Sequence, residues 1–145
     1  MNIPKYYSQG KIILLCLSFF TASSLMLSQP LVWIETELFQ DKGGWTSDTQ
    51  FIDQMGSPFL LAHGLGKPVK DATTSVDFEE TGDYHFWIRT RDWIPPGQGP
   101  GPGKFNILIN DEVTGPVFGA DEIFFWHWVY GGTVKINAHK IKLSL

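Results

Sequence analysis

Gly82-Asp83-Tyr84-His85-Phe86-Trp87-Ile88-Arg89-Thr90 sorts its side chains into two interleaved sets, Tyr84, Phe86 and Ile88 in one and His85, Trp87 and Arg89 in the other. Successive side chains on an extended backbone point to opposite faces, so this period of two specifies a β-strand with one buried face. The same alternation runs through Phe105, Ile107 and Ile109 against Lys104, Asn106 and Asn110. It recurs in Val134 and Ile136 against Lys135 and Asn137, and in Ile141, Leu143 and Leu145 against Lys140, Lys142 and Ser144. Val76 and Phe78 mark a shorter strand, and residues 34–39 and 124–129 two more, with turn signals at Gly82, Asn110-Asp111 and Gly131-Gly132. No 11-residue window after Pro30 carries a helical repeat. Several short strands with regular turns predict an all-β fold over residues 31–145, a jelly-roll-like antiparallel β-sandwich.

Composition agrees with that reading. The chain has 145 residues, 15 of them Gly and 9 Pro, with 14% aromatic and only 18% charged residues. Such a balance suits short strands and ordered turns rather than a helical bundle rich in Ala, Glu and Lys. The formal charge is −4. All the acidic side chains follow Pro30, whereas Lys5 and Lys11 precede it, so the domain is more acidic than the whole chain. A basic nucleic-acid footprint is excluded.

Residues 1–28 read as a secretory signal peptide: Lys5 and Lys11 precede an apolar run that extends from Ile12 to about Leu27. Cleavage fits either after Ser24, with Ala22 and Ser24 as the small residues, or nearer Gln29. The alternative is an uncleaved membrane anchor, for which the run is short, since a spanning helix takes about 20 residues. Cys16, the single cysteine, lies inside this run, so removal of the segment leaves no thiol or disulfide chemistry. The expectation is a secreted or periplasmic protein with no membrane span after signal removal.

Two stretches resist strand assignment, residues 43–71 and 93–103, and loops on a rigid sandwich are where sites are usually built. The second holds Pro95-Pro96-Gly97 and Gly99-Pro100-Gly101-Pro102-Gly103. A dinucleotide loop needs glycines opening a helix with free N–H groups, and prolines ahead of a strand cannot supply them. The histidines, His63, His85, His127 and His139, show no metal-binding spacing, and there is no Gly-x-Ser-x-Gly nucleophile elbow. The neighbouring acids Glu79/Glu80 and Asp121/Glu122 read as solvated turns or strand edges. The sequence therefore points to a protein without catalytic chemistry of its own.

Aromatic side chains are what the sequence has in excess. Trp33, Trp45, Trp87, Trp93, Trp126 and Trp128 stand with 11 phenylalanines and 4 tyrosines. Trp87 falls on the strand face opposite Tyr84, Phe86 and Ile88, beside Arg89, and Trp93 lies where that strand enters the Pro/Gly loop. An outward Trp beside an Arg suits a sugar: the ring stacks on the pyranose face and the guanidinium donates to hydroxyls. Alternatively, residues 43–71 fold over Trp87 and it simply packs. The candidate ligand contacts are Trp87, Arg89, Trp93, Trp126, His127 and Trp128. Glu35 and Glu37, as alternate acids on one strand face, are candidates for a structural Ca2+.

The ordered blocks Trp33-Ile34-Glu35-Thr36-Glu37, Gly43-Gly44-Trp45, Gln50 through Pro58 (QFIDQMGSP), Ala62-His63-Gly64-Leu65-Gly66, Pro68-Val69-Lys70-Asp71-Ala72, Trp87 through Trp93 (WIRTRDW) and Trp126-His127-Trp128 carry a family likeness. Together they resemble the carbohydrate-binding-module-like β-sandwich at the N-terminus of secreted FAD-dependent oxidoreductases of Bacteroidota and related bacteria. The resemblance covers nearly all of the chain after Pro30, and the block from Gln50 to Asp71 is its specific part. It implies a non-catalytic recognition module, with glycan as partner and the redox chemistry in a separate flavin domain. The family sandwich continues beyond the point matched by Leu145, so the resemblance also implies a C-terminally truncated module. Two functions follow: a carbohydrate-binding-like module acting alone, or the detached N-terminal accessory domain of an FAD-dependent oxidoreductase, which partners a flavin-dependent catalytic domain.

Overall fold

The computed structural model describes residues 30–63, 66–94, 97–98, 101, 103–119 and 121–145. The expected signal peptide lies outside them. Eight antiparallel strands carry the fold: β1 (Trp45–Asp48), β2 (Phe59–Ala62), β3 (Thr73–Asp77), β4 (Gly82–Thr90), β5 (Phe105–Ile109), β6 (Glu112–Phe118), β7 (His127–Ile136) and β8 (Lys140–Ser144). The only α-helix among the described residues is α1 (Ile52–Met55), one turn that closes on Gly56 in the left-handed conformation, φ 82°.

The pairing is nested. β3 pairs with β8, β4 with β7, and β5 with β6, while β8 also lies beside β5. Folding such a nested ribbon over itself produces a four-stranded sheet in the order β3-β8-β5-β6 and a separate β4-β7 ribbon, the wrapping of a jelly roll. A third, two-stranded piece is the β1-β2 hairpin. The expected all-β sandwich is present.

The core lies where the alternation places it. Phe39, Ala72, Val76, Phe78, Ile107, Phe118, Ile136, Ile141 and Leu143 form one buried cluster, and Tyr84, Phe86 and Ile88 of β4 pack against it. Phe78 meets Tyr84 edge to face at 4.9 Å, and Phe105 stacks on Phe118 at 5.6 Å. Lys140 and Lys142 stay exposed, alternating with the buried Ile141 and Leu143. At the β5-β6 hairpin, Asn110 and Asp111 both take positive φ, 51° and 70°, as a two-residue turn of the primed type requires. The Asn110 side chain accepts from the Lys142 N–H at 2.9 Å, and Lys142 Nζ reaches Asp111 at 2.6 Å.

Several expectations are corrected. Residues 34–39 are not a strand: Thr36–Leu38 is a single 3-10 turn, closed by Phe39 N–H on the Thr36 carbonyl. The stretch 43–71 is not wholly irregular, since it contains β1, α1 and β2. β6 emerges where no strand was expected, because Gly115-Pro116 breaks its pattern; as the edge of its sheet it can tolerate a proline, which has no N–H to donate.

The largest correction concerns Gly131-Gly132, which is not a turn. Residues 124–129 and 134–136 do not form two strands; β7 runs continuously through the two glycines, and its register against β4 shifts there, Phe86 facing Gly132 and Trp87 facing Tyr130. Gly131 is the extra, bulged residue. A bulge advances the strand by one residue and so exchanges its faces. Val134 and Ile136 point inward. Without the bulge, Tyr130 and Trp128 would share their parity and their face. With it, both are exposed. The Phe86 ring occupies the room that a side chain at Gly131 would need, and a Cβ there would overlap it.

Candidate functional site

The outer face of the β4-β7 ribbon carries four large rings. Trp87 is 56% exposed and lies against Tyr130, with ring centroids 4.8 Å apart. Trp128, 49% exposed and directly across from Arg89, meets Trp33 edge to face at 5.8 Å. Tyr130 is held by its hydroxyl, which is 2.7 Å from His85 Nδ1 and 3.3 Å from Thr133 Oγ1. Rings on two paired strands lose little freedom when a ligand arrives, and exposed apolar patches of this extent mark binding surfaces. Trp87 is therefore outward, as its strand parity required, and residues 43–71 do not bury it.

Arg89 does not present its guanidinium to a ligand. Its Nη2 donates to the Gln54 carbonyl at 2.8 Å and its Nη1 to the Met55 carbonyl at 3.2 Å, so it ties α1 to the ribbon. These are the orphan carbonyls of a one-turn helix, and a cation is the natural partner for them.

Trp93 and Trp126 belong to a second aromatic cluster. Trp126 packs edge to face on Phe59 at 4.9 Å and lies 6.2 Å from Phe51, while Phe51 meets Trp93 at 5.9 Å. Trp126 precedes β7 rather than sharing its outer face with Trp128. Trp87 has Tyr130 as its ring partner and Trp93 has Phe51. The expected platform of Trp87, Arg89 and Trp93 is thus divided between two clusters.

At the centre of the second cluster lies Arg91. Its guanidinium carbon is 4.2 Å from the Phe51 ring centroid, 4.7 Å from that of Phe124 and 5.3 Å from that of Trp93. A groove of about 950 Å³ joins the two clusters, with Trp33, Trp87, Trp128, Arg91, Trp93 and Trp126 in its walls. A groove of this volume is large enough for a ligand of several sugar rings.

His127 takes no part in the groove. Its Nε2 is 2.6 Å from Asp121 Oδ2 and its Nδ1 2.9 Å from the Phe125 carbonyl, which leaves neither nitrogen for a ligand. Glu35 caps the start of the 3-10 turn and Glu37 lies within it, so they do not alternate along a strand, and Glu35 Oε1 accepts from the Trp33 indole at 2.7 Å. Among the described residues no group of three or more His, Cys, Asp or Glu side chains is placed to hold a metal. No helix of the described residues is long and apolar enough to cross a membrane.

No protein-family model, curated protein or solved structure matches the chain. The reading of the site therefore rests on its own residues. Tyr130 and Trp33 were missed as contacts: the phase change at Gly131 hides the parity of Tyr130, and Trp33 precedes the first strand. Arg91 was also missed, although it has the same parity as Trp87 and Arg89 in the run Trp87-Ile88-Arg89-Thr90-Arg91.

Proposed function

We propose that the protein is a secreted or periplasmic, non-catalytic recognition module that binds carbohydrate along the groove bordered by the outer face of the β4-β7 ribbon. The observation that carries this reading is the bulge at Gly131, which turns Trp128 and Tyr130 out of the core phase and sets them beside Trp87. A fold that needed only a core would gain by burying those rings, each worth about 1.5–3 kcal/mol in apolar transfer. Aromatic faces held flat at a sheet surface match the C–H faces of sugar rings, and the polar groups nearby satisfy hydroxyls.

The test is a glycan array followed by Trp-fluorescence titration. A binding glycan changes the emission of the parent protein, and Trp87→Ala and Trp128→Ala each lose most of the affinity with an unchanged melting temperature. A blank array sinks the reading and moves ahead the alternative, an accessory domain whose aromatic face packs against a flavin-dependent catalytic domain.

A further inference from the structure

The groove contains one cation whose surroundings do not explain it. Arg91 stacks against three rings, and among the described residues it makes no ion pair and no hydrogen bond. Its Nε is buried without a partner. The carboxylates on neighbouring segments are turned elsewhere: Asp121 to His127, and Asp92, fully buried, against the backbone of Gly101. The other arginine of the strand, Arg89, is occupied by the carbonyls of α1.

From this geometry we infer that Arg91 seats a carboxylate of the bound glycan, so that the groove selects acidic sugars of the uronate class over neutral ones. The inference rests on the carbohydrate-binding reading above. Placement supports it: Arg91 lies two residues beyond Arg89, which faces Trp128, and one residue past the end of β4, in the wall of the same groove as Trp87 and Trp128. A sugar stacked on the Trp87-Tyr130-Trp128 row extends toward it. Stacking on Phe51, Trp93 and Phe124 fixes the plane of the guanidinium, and a fixed plane is what a two-pronged contact with a carboxylate requires. Burial lowers the Arg91 pKa from its ordinary value, a sign of poor hydration, yet a guanidinium stays charged at any physiological pH. A poorly hydrated cation gives up little water when it meets an anion. The acidic net charge of the chain disfavours anions in general; Lys67 and Lys104 also line the groove, and the Arg91 variants separate its contribution from theirs.

The test uses the full-length protein in calorimetric titrations with trigalacturonate, trimannuronate and their methyl esters, in which only the charge is removed. At least one acid binds the parent about tenfold or more tightly than its ester, and the difference shrinks as salt rises. Arg91→Met keeps an apolar stem over the rings and erases the difference; Arg91→Lys, which keeps charge but not the planar fork, retains part of it. Circular dichroism establishes that each variant is folded, and if Arg91→Met is not, Arg91→Lys alone decides. Equal binding of acid and ester by the parent, or a preference that survives in Arg91→Met, overturns the inference and leaves the carbohydrate reading standing. Failure of every acidic and neutral sugar to bind overturns both.

Discussion

Gly131→Ala tests the bulge, because one methyl group there meets three atoms of the Phe86 ring. The ring has packed neighbours: its tip lies close to Gly115, and its centroid is 6.3 Å from that of Phe118. Overpacking of a filled core costs about 1–3 kcal/mol, and a clash with a confined ring belongs near the top of that range. For a domain of this size each kcal/mol lowers the melting temperature by about 3–6 °C, so a fall of about 6–18 °C is expected. Differential scanning calorimetry measures it, and near-UV circular dichroism reports the Trp87-Tyr130 contact at the same time. Adding Phe86→Leu removes the obstructing ring, so the double variant is at least about 1 kcal/mol more stable than the sum of the two single effects predicts. A melting temperature within about 1 °C of the parent for Gly131→Ala, or strict additivity in the cycle, refutes the packing argument.

Two further expectations concern stability. The Asp41 carboxylate accepts from the Gly43 N–H at 2.8 Å and faces Lys70 Nζ at 3.1 Å, and these contacts, the backbone one first, lower its pKa. The folded state thus favours the carboxylate, which stabilises above the ordinary carboxylate range and stops doing so as pH falls through the depressed value. Melts recorded from neutral pH to about pH 2 should show a shallower acid decline for Asp41→Asn than for the parent, with the difference confined to pH values below about 4. Asn110→Val places a β-branched residue at φ 51° and removes the acceptor for the Lys142 N–H. Denaturant unfolding should show a loss of about 2–3 kcal/mol, the sum of left-handed strain and a hydrogen bond.

The strands whose alternation is uninterrupted were legible in the sequence: β4, β5 and β8 each turn the set that parity assigns to the core into it or against it, although Ser144, assigned to the outer set, is also buried. β7 was not, because a bulge and a turn leave the same trace in a sequence, a pair of small residues between two apolar sets out of phase. What separates them is the partner strand, and β4 keeps one phase throughout. β2 is the run Phe59-Leu60-Leu61-Ala62, too short for periodicity to distinguish strand from helix, and β1 is mostly polar. In the site, Trp87 was legible because its strand is regular. The duties of Arg89 and His127 were not, since their partners, Gln54, Met55 and Asp121, lie on other segments and follow no local spacing.

The central claim is that a sugar lies on Trp87 and Trp128. Mass-spectrometric mapping of tryptophan oxidation, with and without saturating oligosaccharide, addresses it most directly, because both indoles are exposed in the free protein. Bound sugar is expected to slow oxidation of Trp87 and Trp128 severalfold. If sugar binds and both tryptophans oxidise as fast as they do in the free protein, the ligand lies elsewhere and the aromatic face is not its site.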